Sequence, residues 1–176
     1  MGLANVLKFF RRDKSGLAAI EFAIFGGTLA VALLNVADTA VYLYERMEVE
    51  NASDLAVMAG LKTCDTNHLP ATVNCSGLNT AVTTAAQSTS LGAHVSIVGG
   101  GPTEGYYCVN LSNALQYVSD VNNKPLDCLA AGTPLLSPGD YINVQVTYPY
   151  APIFGQISIG SLFSTPITKT ALMRVG

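Results

Sequence analysis

A long apolar stretch near the N-terminus dominates the hydrophobic pattern of the chain. Residues 17–44 read LAAIEFAIFGGTLAVALLNVADTAVYLY, with Glu21 and Asp38 as the only charged residues. About twenty apolar residues are enough to cross a bilayer as a helix, so this stretch predicts a transmembrane helix. Helix-forming residues continue without proline, which predicts a single helix whose second part, 45–61, extends beyond the membrane.

The extension has an apolar face that is interrupted by one acid. Leu43, Met47, Met58 and Leu61 fall on one side of the helix, together with Asp54. We expect this part of the helix to support the domain that follows it.

Residues 62–176 have the pattern of a small exported α+β domain. Turn-forming residues after Cys64 predict a loop, and the GGGPT stretch at 99–103 predicts a turn. The remaining patterns predict a second short helix and a small antiparallel sheet of about four strands. The helix is expected at 78–88, capped near Ser76 or Asn79. A hairpin of strands is expected at 93–98 and 106–111, a helical turn at 113–118, and two further strands at 141–148 and 167–175.

Charge is distributed unevenly along the chain. The first 16 residues carry Lys8, Arg11, Arg12 and Lys14 against Asp13 alone, while the whole chain has nine basic and twelve acidic residues. A basic end beside an apolar helix is a topology signal, and it predicts a cytoplasmic leader (1–16) with the C-terminal domain exported. The acidic remainder argues against a nucleic-acid partner.

All four cysteines lie after the apolar helix. An even number of cysteines in an exported domain predicts disulfides, and Cys64, Cys75, Cys108 and Cys128 allow three pairings. Pairing of sequence neighbours is the simplest of these, and four free thiols are the alternative. A zinc site is disfavoured because there is no C-x-x-C pair.

Residues that carry enzyme chemistry are scarce. His68 and His94 stand alone, the G-x-S-x-G pattern is absent, and the aspartates lack calcium-loop spacing. The GGGP turn lacks the lysine and helix of a phosphate loop. The pattern therefore indicates a protein that is not an enzyme and needs no metal or cofactor.

The most informative motif is the junction RRDKSG–LAAIEF. The basic leader ends at Gly16, the apolar helix begins at Leu17, and Glu21 lies five residues into it. A carboxylate at the centre of a membrane helix costs about 2.5–3.5 kcal/mol, although the cost falls near a helix end, where Glu21 also complements the helix dipole. The sharper interpretation is that Glu21 meets a positive partner when subunits assemble.

The segment SGLAAIEF resembles the processing site of the type IV pilin superfamily, in which a prepilin peptidase cuts after a glycine and a glutamate is the fifth mature residue. The pair Glu21–Phe22 is similar to the Tad (Flp) branch. The size, the long helix and the tail YINVQVTYPYAP…ITKTALMRV resemble TadE-like pseudopilins. The resemblance covers both ends of the chain and leaves residues 62–140 unmatched.

The resemblance implies a structural minor pilin or pseudopilin of a Tad-type pilus or secretion machine, cut between Gly16 and Leu17. Its implied partners are a prepilin peptidase, other pilin subunits, an inner-membrane assembly platform and membrane lipid. The implied location is the bacterial inner membrane, with the domain in the periplasm or on an assembled pilus. The alternative is an uncleaved single-pass anchor whose exported domain binds an envelope partner.

Overall fold

The computed structural model describes residues 15–64 and 66–176, so the basic side chains of the leader lie outside the described residues. The predicted α+β class is confirmed. The helices are α1 (Ser15–Thr63), α2 (Ala71–Asn74) and α3 (Leu78–Ala86). The strands are β1 (Ser96–Ile97), β2 (Thr103–Val109), β3 (Leu115–Asp120), β4 (Gly139–Tyr148) and β5 (Ile167–Arg174).

The chain forms two compact units. The first unit contains α1 up to Tyr42 and residues Ala151–Phe163. The second unit, which we call the sheet unit, contains Leu43–Tyr150 and Ser164–Gly176. Helix α1 is continuous over 49 residues and belongs to both units. By length and composition it is able to cross a membrane, and its most apolar window is not buried inside the chain.

The sheet is built around β4 and is antiparallel at every pairing. Along one edge β4 pairs with β2 through residues 139–143 and with β1 through residues 146–147, and along the other it pairs with β5. β3 extends the sheet beyond β2. Ile142, Val144 and Val146 are fully buried on one face of β4, as the alternation of its sequence predicts.

The predicted hairpin between strands at 93–98 and 106–111 is wrong. β1 is only two residues long and pairs with β4, not with β2. Gly99 and Gly100 both have positive φ, and they redirect the chain between β1 and β2. Alternation in the sequence identified a strand here but gave no information on its partner.

The predicted helical turn at 113–118 is also wrong, because residues 115–120 form β3. The Asn110 side chain accepts hydrogen bonds from the Ser112 and Ala114 amides at 2.9 and 3.1 Å, and Asn113 has a φ of 58°. This tight turn makes β2 and β3 a hairpin, and the sheet has five strands where about four were expected. Helix α3 begins after Gly77, whose left-handed conformation replaces the predicted Ser76 or Asn79 cap.

Helix α1 contacts the sheet domain through small side chains. Val49, Ala52, Ala56 and Val57 are buried, and a Cβ added at Gly60 would lie 3.5 Å from side-chain atoms of Leu78 and Val82 on α3. The apolar face of Leu43, Met47, Met58 and Leu61 is exposed instead. The domain therefore packs on a different face of the extension, because small residues allow close approach.

Three glutamates of α1 bind side chains of the sheet unit through hydrogen bonds and an ion pair. Glu45 accepts one from the Tyr148 hydroxyl at 3.1 Å, Glu48 one from the Ser90 hydroxyl at 2.7 Å, and Glu50 forms a 2.7 Å ion pair with Lys169. Burial raises the pKa of Glu45, whereas the bond and charge of Lys169 lower the pKa of Glu50.

Both predicted disulfides are formed, between sequence neighbours. Cys64, at the end of α1, is bonded to Cys75, and Cys108 of β2 is bonded to Cys128. The second bond lies in a small buried cluster with Ala131 and the partly buried Val118.

Candidate functional site

The residues of the predicted processing junction lie at the start of α1. Gly16, Leu17, Glu21 and Phe22 are all exposed, and an added Cβ at Gly16 would meet no atom within 4 Å. Glu21 forms no ion pair with any of the described residues. At Gly16 the junction is therefore sterically open, and no cation among the described residues occupies the Glu21 carboxylate.

Large apolar side chains recur from this junction along one side of α1, at spacings of three, four, seven and eleven residues that all match one face of a helix. We call this set the exposed stripe. All of its members are exposed: Phe22, Phe25, Leu29, Leu33, Val36, Leu43, Met47, Met58 and Leu61. Asn51 and Asp54 interrupt it in the second unit. In its second part α1 buries one face against the domain and leaves this apolar face exposed, and exposed apolar faces mark sites of contact with a protein or a membrane.

A buried carboxylate within α1 organises the first unit. Asp38 is 0% exposed, and its two oxygens accept hydrogen bonds from the Ile153 amide at 2.9 Å, the Phe154 amide at 3.4 Å and the Ser158 hydroxyl. These donors all belong to residues 151–163, which we call the docked segment. The sequence had identified Asp38 only as an interruption of the apolar run.

Asn35, one turn before Asp38 on the same side of α1, completes this attachment. Its side-chain oxygen accepts a hydrogen bond from the Ile159 amide at 2.7 Å, while its amide donates to the Val31 carbonyl at 2.7 Å. Tyr42 stacks on Phe163 with ring centroids 4.5 Å apart. A Cβ at Gly160 would lie 2.9 Å from Asp38 Oδ2 and from Pro152 Cβ, so the close approach requires glycine.

A second polar site lies in the sheet unit. A cleft of about 260 Å³ is lined by residues that include Tyr106, Lys124 and Asp140. The Lys124 amine lies 5.7 Å from the centroid of the Tyr106 ring, and Asp140 has a buried oxygen without a hydrogen-bond partner. Near it, Glu104 of β2 accepts hydrogen bonds from the first amides of α2, Ala71 and Thr72, at 2.8 and 2.7 Å.

Asp140 makes the stability of this unit depend on pH. Burial, with the charge of Glu104 adding to it, raises the pKa of Asp140 from 3.8 to about 6. A carboxyl whose pKa is higher in the folded chain stabilises the fold when protonated, and this contribution is lost as pH rises through the folded pKa. Asp140→Asn should therefore gain stability relative to the natural protein between pH 4 and 6, and hold that gain above pH 6.

Thermal unfolding of the two proteins at a series of pH values measures this difference. Asp54→Asn, at an exposed aspartate of α1, is the matched control and should show no comparable gain. A stability difference between Asp140→Asn and the natural protein that does not change across this window would contradict the assignment.

Among the described residues, neither the Asp38 attachment nor the cleft lined by Asp140 brings side chains into a recognisable catalytic arrangement. His68 and His94 are exposed, and among the described residues no group of three or more His, Cys, Asp or Glu side chains is placed to hold a metal ion. The absence of an enzymatic activity stays a prediction.

Comparison with protein-family models, with curated proteins and with solved structures gives no match. The resemblance to TadE-like pseudopilins therefore stays a prediction, carried by the residues from Gly16 to Phe22 and by the C-terminal strands.

Proposed function

We propose that this chain is a non-catalytic, membrane-anchored subunit of a Tad-type pilus or secretion machine, a minor pilin or pseudopilin. A prepilin peptidase would cut it after Gly16, and the mature chain would assemble through α1. The observation that carries the proposal is the exposed stripe, which runs along a 49-residue helix beginning at the processing motif.

The anchoring step uses the apolar half of α1 and the basic leader. Basic residues near an anionic membrane surface contribute roughly 1 kcal/mol each, so Arg11, Arg12 and Lys14 would hold the leader at the cytoplasmic face. Gly16 has no side chain, which allows a protease cleft to approach its backbone closely. The bond before Leu17 would then lie at the membrane boundary, within reach of a membrane peptidase.

The assembly step uses Glu21 and the exposed stripe. Cleavage would give Leu17 a free α-amine, and Glu21 of a neighbouring subunit would pair with that amine as the helices bundle. A buried ion pair contributes little net stability, so its role would be to fix the axial register between helices. The stripe would supply the apolar contact area, and the exported domain would cap or decorate the filament.

The deciding experiment is the intact mass of the protein purified from its native membranes. We expect a chain of residues 17–176, with Gly16→Leu blocking the cleavage. Gly27→Leu is the matched control, because Gly27 also has open space around its Cα but lies inside the apolar helix. A chain that keeps residues 1–16 in cells with an active prepilin peptidase would favour the uncleaved binding anchor.

The role of Glu21 is tested in the same cells. Glu21→Ala should insert normally, because it removes a charge from the apolar segment, and should be cut yet fail to enter assemblies. Glu21→Asp should be intermediate, since it keeps the charge with a shorter reach. Normal assembly of Glu21→Ala would leave the residue with only a helix-dipole role.

A further inference from the structure

The docked segment turns apolar side chains outward. Ile153, Ile157, Ile159 and Leu162 are exposed, with Ile157 at 73% and Leu162 at 82%. No charged residue lies between Asp140 and Lys169 in the sequence, so the segment itself is uncharged. A group of exposed apolar side chains in an uncharged segment marks a surface that contacts another apolar phase, either a protein or a membrane.

The position of the segment along α1 indicates which phase that is. Residues 17–34 are 18 residues without a polar side chain other than Glu21 and Thr28, and they span about 27 Å as a helix. The hydrocarbon core of a bilayer is about 30 Å thick. Asn35 and Asp38, which bind the segment, are the next polar residues, so the attachment lies at the level where the hydrocarbon ends.

The hydrogen bonds of the docked segment agree with a position at the end of the hydrocarbon. Inside the hydrocarbon, exposed irregular backbone is excluded because its amides and carbonyls have no partners. The docked segment instead has short 3₁₀ turns at Gly155–Ile157 and Ile159–Leu162, and its Ile153, Phe154 and Ile159 amides bind α1. Its backbone is thus partly satisfied by the helix, while its aliphatic side chains point away, as in elements that lie in a membrane interface.

We infer that the docked segment is a second membrane contact, lying in the headgroup region of the non-cytoplasmic leaflet with Ile157 and Leu162 inserted into lipid. The inference rests on the membrane anchoring in the proposed function. It also gives Asp38 a role: the carboxylate positions the segment on α1 where the helix leaves the bilayer. The predicted span 17–44 would then have its lipid-facing part within 17–34.

The test uses the full-length chain in vesicles of phosphatidylethanolamine and phosphatidylglycerol. The only cysteines of the sequence are the four that form the two disulfides, so an added cysteine is the only thiol available for labelling without reduction. The variants Ile157→Cys and Leu162→Cys, each with one added cysteine, would carry an environment-sensitive fluorophore. Nitroxide lipids with the quencher near the headgroup or near the chain end would then report depth.

Two further labels separate the possible failures. Leu29→Cys, in the apolar half of α1, reports whether the helix is inserted. Leu126→Cys, fully exposed between Lys124 and Asp127, is the reference for a label in water. At positions 157 and 162 we expect blue-shifted emission that the quencher near the headgroup reduces. The emission of the label at position 29 should be reduced by the quencher near the chain end. The emission of the label at position 126 should be reduced by neither.

If Leu29 is quenched but the segment labels behave like Leu126, the inference is overturned and the anchoring stands. If the emission of the segment labels is blue-shifted only at a high protein-to-lipid ratio, a second copy of the chain covers the segment and the lipid assignment is wrong. Equal quenching at Leu126 would mean general adsorption to vesicles, which also overturns it. An unquenched Leu29 label would reject the anchoring itself.

Discussion

Asp38→Ala should release the docked segment from α1 while leaving the sheet unit folded. The substitution removes the acceptor of two backbone amides and one hydroxyl, and Asp38 is completely buried. A buried donor left without its acceptor costs about 1–3 kcal/mol. Three donors of the docked segment lose their acceptor at once, so we expect the segment to open.

Hydrogen exchange of the Ile153 and Phe154 amides measures this opening, with about a tenfold faster exchange for each 1.4 kcal/mol lost. Asp38→Asn is the conservative comparison, since it keeps one carbonyl acceptor and should open less. Asn35→Ala removes the acceptor of one amide alone and should mainly affect Ile159. Unchanged exchange at Ile153 and Phe154 in Asp38→Ala would show that other contacts hold the segment.

The attachment at Asp38 was beyond prediction from the sequence because its partners lie 115 to 120 residues away. A polar residue in an apolar helix has several explanations, and only the fold places the backbone amides of the docked segment against it. A weak signal was present in the spacing. Asn35 and Asp38 are three residues apart, hence on one helix face, and residues 141–168 near the C-terminus carry no charged side chain.

Strands were predictable where one face is buried. β4 alternates buried and more exposed residues around Ile142, Val144 and Val146, and its pattern identified it directly. β3 is an edge strand that pairs only with β2, and none of its residues is buried. Without a buried face a strand has no reason to alternate, so its sequence was misread as a helical turn.

The sequence also left open which face of α1 contacts the domain. Met47 and Met58 are exposed, whereas the small residues Ala52, Ala56 and Gly60 lie against the domain. Close packing against a helix and a sheet favours small side chains, and the larger ones remain for another surface. An apolar face therefore stays exposed along the half of α1 that carries the domain.

Removal of the Cys108–Cys128 disulfide should destabilise the sheet unit more than removal of Cys64–Cys75. On a chain-entropy estimate each bond contributes about 3 kcal/mol, slightly more for the longer loop. The separations are 20 and 11 residues. Cys108 and Cys128 are also almost fully buried beside Ala131, so their replacement disturbs packed side chains, whereas Cys75 is only partly buried.

The double variants Cys108→Ala/Cys128→Ala and Cys64→Ala/Cys75→Ala are the matched pair, because each removes one bond without leaving a free thiol. Thermal unfolding of the full-length protein in lipid nanodiscs, followed by near-ultraviolet circular dichroism, should give both variants a lower stability than the natural protein, with the first variant the least stable.

The Cys108–Cys128 bond also connects β2 to the loop before β4, where Thr133 donates a hydrogen bond to the Val109 carbonyl at 2.7 Å. Exchange in residues 121–138 should therefore rise only in the first variant. The reverse order of stability, or equal exchange in both variants, would mean that hydrogen bonds and packing hold this loop without the disulfide.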